Sequence, residues 1–284
     1  MSCEKALLMS AKTDWLKILI RCRDNVKAKI RPYLQPASAQ QPALGTGAGG
    51  DPMKPVDLAA EKAIVEVLEQ FLNAFTLVSE ESGVKAFGAN PEHCYVTVDP
   101  IDGTTNLSRG LPFYATSIAV STMPTLSKIF VGLVADLYHD TTYTAIQGGG
   151  AYRDGKKITP SQLASLEDAV IGLDLNSYKV KAIAPQLSSL IEKTGHIRHF
   201  GANALELCYV AEGLTDAFVD IRGKLRVTDV AAGYLILKEA GGVITAPKGQ
   251  TIAAALDPMQ KIKFIASGNE QLHKKILGLV RLKC

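Results

Sequence analysis

The 284-residue chain has no C-x-x-C pair, and its five cysteines (Cys3, Cys22, Cys94, Cys208 and Cys284) are scattered and odd in number. That excludes a zinc-finger cage and a disulfide framework. Cys22, Cys94 and Cys208 sit inside apolar patterns and read as small buried hydrophobes. No five basic residues stand together and the net charge is only +3, so no nucleic-acid partner is expected. Residues 1–14 lack the apolar core of a signal peptide. The uncharged stretch 110–127 is broken by Pro112 and Pro124 and is rich in hydroxyls, which excludes a membrane span. A cytoplasmic location is the expectation. The glycines near residue 47 are not followed by Gly-Lys-Ser/Thr, so no P-loop is present.

What remains is an ordinary globular composition, 47% hydrophobic and 21% charged. Trp15, Ile18, Leu19, Cys22, Val26 and Ile30 recur at helical spacing, and Pro32 and Pro36 close that helix. Residues 36–55 are turn-rich and predict a mobile loop. A second helix is expected over 58–72, with Ile64, Val67, Leu68, Phe71 and Leu72 inward. Strands are expected at 75–79, 94–98, 115–122, 129–137 and 142–147, the last three antiparallel, followed by a hairpin within 148–158. Beyond it the rhythm changes. Strands at 169–173, 216–220 and 262–267 alternate with helices at 185–193, 203–212, 229–240 and 270–282. The chain therefore reads as a mixed α+β and α/β protein. An N-terminal α+β subdomain (1–155) is expected to precede a C-terminal α/β subdomain (156–284).

The acidic residues gather where elements end. Asp57 precedes the second helix, and Glu80 and Glu81 follow a strand in SEESG. Asp99 and Asp102 follow the strand CYVTV in DPIDGTTN, and Asp229 stands at a helix start in VTDVAAG. Singly, Asp57 and Asp229 read equally as N-caps, Glu81 as a solvated turn residue, and Asp99 and Asp102 as turn formers. Converging in one fold, they repel one another and need compensation. Hard divalent cations supply it, and the carbonyl of Ile101 is a further oxygen ligand. No histidine falls within these motifs, so an all-oxygen site favours Mg²⁺, with Mn²⁺ possible. If a helix begins after Gly103, its first amides, at Gly103, Thr104 and Thr105, face an anion such as phosphate. Carboxylates, cation and phosphate cradle together indicate phosphoryl transfer to water.

SEESG, DPIDGTTN and VTDVAAG, in this order, resemble the signatures of the inositol monophosphatase superfamily of Mg²⁺-dependent, lithium-sensitive phosphatases. The segment GAGGDPMKPVDLAAE (47–61) and Arg109 in NLSRGLPFY resemble archaeal members that hydrolyse both inositol-1-phosphate and fructose-1,6-bisphosphate. Val227 and Thr228 depart from the tryptophan usual before the last aspartate, and Gly50 precedes Asp51. The resemblance implies a layered αβαβα sugar-phosphatase fold, a homodimer, and two or three Mg²⁺ ions. It places Glu80, Asp99 and the Ile101 carbonyl on the first ion, and Asp99, Asp102 and Asp229 on the second. Asp51 and Glu80 stand near a third. It pairs Thr104 with Asp57 on the attacking water and puts the Gly103–Thr105 amides on the phosphate. Gly201, Ala202 and Asn203 match its substrate-contacting helix start.

The alcohol side is read from basic residues. Arg109 and Arg222 are the candidates for a second phosphate, with Arg198 and His199 behind them, while Lys224 and Arg226 read as a solvated basic turn. Two alternatives remain: a 3′-phosphoadenosine 5′-phosphate or NADP phosphatase of the same superfamily, and a non-catalytic binding or regulatory protein on this fold.

Overall fold

The computed structural model of the protein describes residues 13–34, 42–89, 91, 93–175 and 179–281. Cys3, Cys284, the first residues of the expected loop and the end of the last expected helix lie outside them. In chain order the elements are α1 (Trp15–Ile30), β1 (Gly45–Thr46), β2 (Pro52–Met53), α2 (Pro55–Phe71), β3 (Phe75–Ser79), β4 (Gly83–Phe87), β5 (Tyr95–Asp102) and α3 (Thr104–Arg109). There follow β6 (Ala115–Ser121), β7 (Ile129–Asp136), β8 (Thr141–Ile146), β9 (Gly150–Arg153) and β10 (Lys156–Lys157). The last group is β11 (Val170–Leu173), α4 (Val180–Lys193), β12 (His196–Arg198), α5 (Asn203–Glu212), β13 (Ala217–Asp220), α6 (Ala231–Ala240), β14 (Val243–Thr245), β15 (Phe264–Ser267) and α7 (Glu270–Leu279).

Two larger sheets organise the molecule. The first has eight strands in the order β10-β9-β8-β7-β6-β5-β3-β4, and the second five in the order β12-β11-β13-β15-β14. β5 through β9 form an antiparallel meander, as the short polar turns predict, while β3 runs parallel to β5. The helices are sorted by their apolar faces. α1 buries the six residues picked out by periodicity, and with α2 it covers one face of the large sheet through Val96, Val98, Ile118 and Leu133. α5 and α6 lie on the other face and also against Phe218, Phe264 and Ala266 of the small sheet. α4 and α7 close the far side of the small sheet through Ile183, Leu187, Leu272 and Ile276. The result is five layers, helix–sheet–helix–sheet–helix. Phe71 is the exception on α2: it is 40% exposed, with the Arg21 guanidinium over its ring. The expected division at 155/156 falls in the β9–β10 turn, and the middle core is built from both sides of it.

The middle layer is tight because two glycines make it so. A Cβ at Gly132 of β7 would lie 3.3 Å from Ala232 Cα, and one at Gly233 of α6 would lie 2.9 Å from Leu207 Cβ on α5. The glycine of VTDVAAG thus lets α6 wedge between α5 and the sheet, which fixes the chain just after Asp229. Gly233→Val is expected to cost about 1–3 kcal/mol by overpacking. Gly278→Ala, on α7 with open space around it, is expected to stabilise by about 0.5–1 kcal/mol. Denaturant midpoints of the two variants, moving in opposite directions, check both.

Candidate active site

The site forms where β5 ends and α2, α3, α5 and the segment before α6 begin. It is a cleft of about 320 Å³ lined by acidic residues, Lys54, Lys224 and Arg226, and the Gly103–Thr105 turn. One carboxylate oxygen each from Glu80, Asp99 and Asp229 lies within 4.8 Å of the others. Asp99 is delivered by the strand, through an irregular register between Asp99 and Asp102 where β5 leaves β6. Burial and the charges of Glu80, Asp102 and Asp229 push Asp99 far above its ordinary range. Glu80 is raised in the same way, by burial and then Asp229. These groups are costly as drawn, and an oxygen-only donor set of this kind fits a hard divalent cation.

Asp102 stands outside that trio. Its Oδ1 accepts from the amide of Asn203 at 2.8 Å, and its Oδ2 from those of Ala204 at 2.7 Å and Leu205 at 3.4 Å. It therefore caps α5, the helix whose start was matched to substrate contact, and one Oδ1 lone pair remains for a cation. Burial lifts it to about 7, opposed by those amides and helped by Asp229.

Asp57 lies at the third position of α2 rather than before it, because Lys54 is the N-cap and its amide donates to Asp57 Oδ2 at 2.8 Å. Asp57 Oδ1 is 3.0 Å from Thr104 Oγ1, which is also 2.9 Å from the Ile101 carbonyl. The threonine has one proton for two acceptors. A cation on the Ile101 carbonyl would commit that proton to Asp57 and leave the hydroxyl oxygen free to accept from a water. Burial lifts Asp57 to about 6, against the Lys54 amide, the Thr104 hydroxyl and the Lys54 charge, which lower it. Activity that needs ionised Asp57 falls as pH drops through about 6. Asp57→Asn is expected to cut kcat by about 10²–10⁴ and to erase that acid limb; Thr104→Val should match it, with Thr104→Ser largely restored. A pH–rate profile of the three variants is the check.

Gly103, with φ +88°, caps α3, and a Cβ there would press within about 3.1 Å of Ala202 and the Phe113 carbonyl. Gly201 and Asn203 line the cleft, and Asn203 Oδ1 is buried without a hydrogen-bond partner. Three expected substrate contacts do not hold. Ala202 is completely buried beneath the turn. Arg109 is exposed at the end of α3, outside the cleft lining. The Arg222 side chain is 1% exposed and ion-paired with Asp174 and Asp220, because the turn after β13 directs it inward. Two bland readings fail as well. Glu81 is no solvated turn residue: it lines the cleft, and burial with Asp57 and Glu61 close by lifts it to about 8. Arg226 is buried among Asp51, Glu80 and Asp229.

Several supports escaped sequence reasoning. Glu61 on α2 accepts from Ser79 Oγ and from the Ser82 amide, fixing the SEESG turn. Its signal was its place four residues after Asp57 on one helix face. Asn106, the last residue of DPIDGTTN, donates to the carbonyls of Phe113 and Phe200 at 2.8 and 2.7 Å, joining α3 to the Gly201 turn. Glu206 accepts from the amides of Phe200 and Gly201, and burial lifts it to about 8. Residues 45–53, part of the expected mobile loop, form the β1–β2 hairpin, docked by Ala48 and Gly49 amides on the Glu81 and Glu80 carbonyls.

The layers, the carboxylate trio and the threonine–aspartate pair suit phosphoryl transfer to water. The chain belongs to the inositol monophosphatase family, whose model matches residues 12–283. A fructose-1,6-bisphosphatase/inositol-1-monophosphatase of Methanothermobacter thermautotrophicus is 36% identical over 93% of this chain and 95% of its own length. A bifunctional NADP phosphatase/NAD kinase of Methanococcus maripaludis is 34% identical over 94% of this chain, which spans 49% of that protein. A solved inositol monophosphatase–fructose 1,6-bisphosphatase superposes with a TM-score of 0.82 at 31% identity, covering 94% of this chain and all of the other.

Proposed function

We propose that the protein hydrolyses the phosphomonoester of a small polyol or sugar, of the kind of inositol-1-phosphate and fructose-1,6-bisphosphate, with two or three Mg²⁺ ions in the site. The observation that carries this reading is the Glu80–Asp99–Asp229 trio lining one cleft with Thr104, whose hydroxyl is paired with Asp57. Glu80, Asp99, the Ile101 carbonyl, Asp229 and the free lone pair of Asp102 would hold the cations, which would supply a more acidic water and charge to offset the leaving alkoxide. Thr104, giving its proton to Asp57, accepts the hydrogen bond of the attacking water and aims it. Amides of the Gly103–Thr105 turn hold the phosphate oxygens. A polyol hydroxyl would satisfy Asn203 Oδ1, which has no partner among the described residues. Lys224, on the cleft lining, takes the place first assigned to Arg109 and Arg222 as the cation for a second phosphate.

A buried carboxylate cluster of this kind has no use in a binding module, which would only bear the repulsion. Phosphate release with Mg²⁺ from inositol-1-phosphate, fructose-1,6-bisphosphate, 3′-phosphoadenosine 5′-phosphate and NADP tests the reading. Turnover confined to the two nucleotides would replace polyol by nucleotide, and no turnover of any would leave the binding-protein alternative. Mn²⁺ is expected to support the reaction. A homodimer in the cytoplasm completes the proposal, and a monomeric elution volume would count against the dimer. No described helix is long and apolar enough to cross a membrane.

A further inference from the structure

The Arg226 guanidinium stands where the cations are expected. Its Nη2 is 2.6 Å from Glu80, its Nε 3.1 Å from Asp229, and its Nη1 2.9 Å from Asp51, with only 9% of the side chain exposed. Its own amide donates to Asp229 at 2.9 Å. Two of its three carboxylates belong to the metal trio, and the third belongs to the β1–β2 hairpin. Arginine keeps its charge at any ordinary pH, so it leaves these partners only by moving or by sharing them. The hairpin comes this close because Gly49 has no side chain: a Cβ there would lie 2.6 Å from Arg226 Nη1 and 3.1 Å from Glu80 Cγ.

We propose that Arg226 is a resident counter-cation. It offsets part of the cluster's negative charge when no divalent ion is bound, holds the hairpin down through Asp51, and competes with the ions for Glu80 and Asp229. It is a positioning residue that sets how tightly the site loads and couples loading to the hairpin. This rests on Glu80, Asp99 and Asp229 being metal ligands.

Calorimetric titration of the metal-free protein with Mg²⁺ and Mn²⁺ tests it, with hydrogen exchange of the Gly47, Ala48 and Gly49 amides followed in parallel. Arg226→Gln is expected to tighten Mg²⁺ binding by about tenfold, within the usual range of site–site coupling, and to speed exchange of those amides in the metal-free state. Arg226→Lys, which keeps the charge and loses the fork, should fall between. Should Arg226→Gln not fold without metal, Asp51→Asn in the metal-free protein carries the test: it leaves Arg226 in place, removes the hairpin's end of the ion pair and should speed exchange of the same amides. Unchanged or weaker metal affinity in folded Arg226→Gln, or unchanged exchange in Asp51→Asn, overturns the proposal. Wild-type protein that takes up no metal overturns the ligand assignment beneath it, so the two failures are told apart.

Discussion

Asp99→Asn is expected to lower kcat by about 10³ at saturating Mg²⁺ while raising the melting temperature of the metal-free protein. Both effects follow from one carboxylate. Asp99 is 4% exposed, and burial, then Glu80, Asp102 and Asp229, oppose its ionisation. An asparagine of the same shape removes the repulsion and leaves the strand register around it intact. In the reaction the sign would reverse, because under the proposed assignment Asp99 must be an anion to hold cation charge as the alkoxide departs. Opposite movements of rate and stability mark a group kept for chemistry at the expense of the fold. Phosphate-release kinetics and thermal melts of the metal-free variant measure them. A rate near that of the wild type at saturating Mg²⁺ would remove Asp99 from the metal site, and an unchanged melting temperature would remove the repulsion argument.

Much of this site is legible in the chain because its residue types are out of place locally. Acids gathered where strands end and a helix begins repel one another unless something compensates them, so Glu80, Asp99 and Asp229 stand out together although each singly reads as a turn or cap residue. The helix after Gly103 is legible for the same reason, since its glycine and threonines suit an anion better than a core. The long amphipathic elements are legible from periodicity, and α1 buries the residues its spacing selects. The short ones are not: β12 and β14 have three residues each, too few to show alternation.

The supporting residues are hidden for a different reason. Asn106 reaches Phe200 across 94 residues, and Asp102 reaches Asn203 across 101. Nothing near these residues in the chain announces such partners. The basic stretch 222–226 shows how proximity in sequence misleads. Arg222 and Arg226 are four apart, yet one turns away to Asp174 and Asp220 and the other into the carboxylate cluster. Their order of importance for the site is the reverse of what their chemistry alone suggests.

The second large effect expected is an inversion of pH dependence by metal. In the metal-free protein, Asp57 is lifted by burial to about 6, Asp102 to about 7, and Glu81 and Glu206 to about 8; Glu80 and Asp99 are raised as well. Unfolded, all six titrate near 4. Between about pH 4 and 8 the folded state therefore holds more protons than the unfolded one, and stability falls as pH rises. Each independent group contributes at most about 1.4 kcal/mol per pH unit inside its own window, and neighbours that share protons contribute less. A drop in melting temperature of about 5–10 °C from pH 5.5 to pH 8 is expected for a net loss of a few kcal/mol. Saturating Mg²⁺ reverses the slope. The cation binds only deprotonated ligands, so its affinity and the stabilisation it brings by mass action both grow with pH. Glu206 is the internal control: it serves the Gly201 turn, is not itself a proposed ligand, owes its lift mainly to burial, and keeps a destabilising slope under both conditions. Glu206→Gln should flatten the metal-free profile between pH 6 and 8 without altering the Mg²⁺-dependent rise. Thermal melts across pH 5.5–8, with chelator and with Mg²⁺, measure both slopes; parallel profiles would mean that the carboxylates are ionised without metal and that the cluster is held by Arg226 alone.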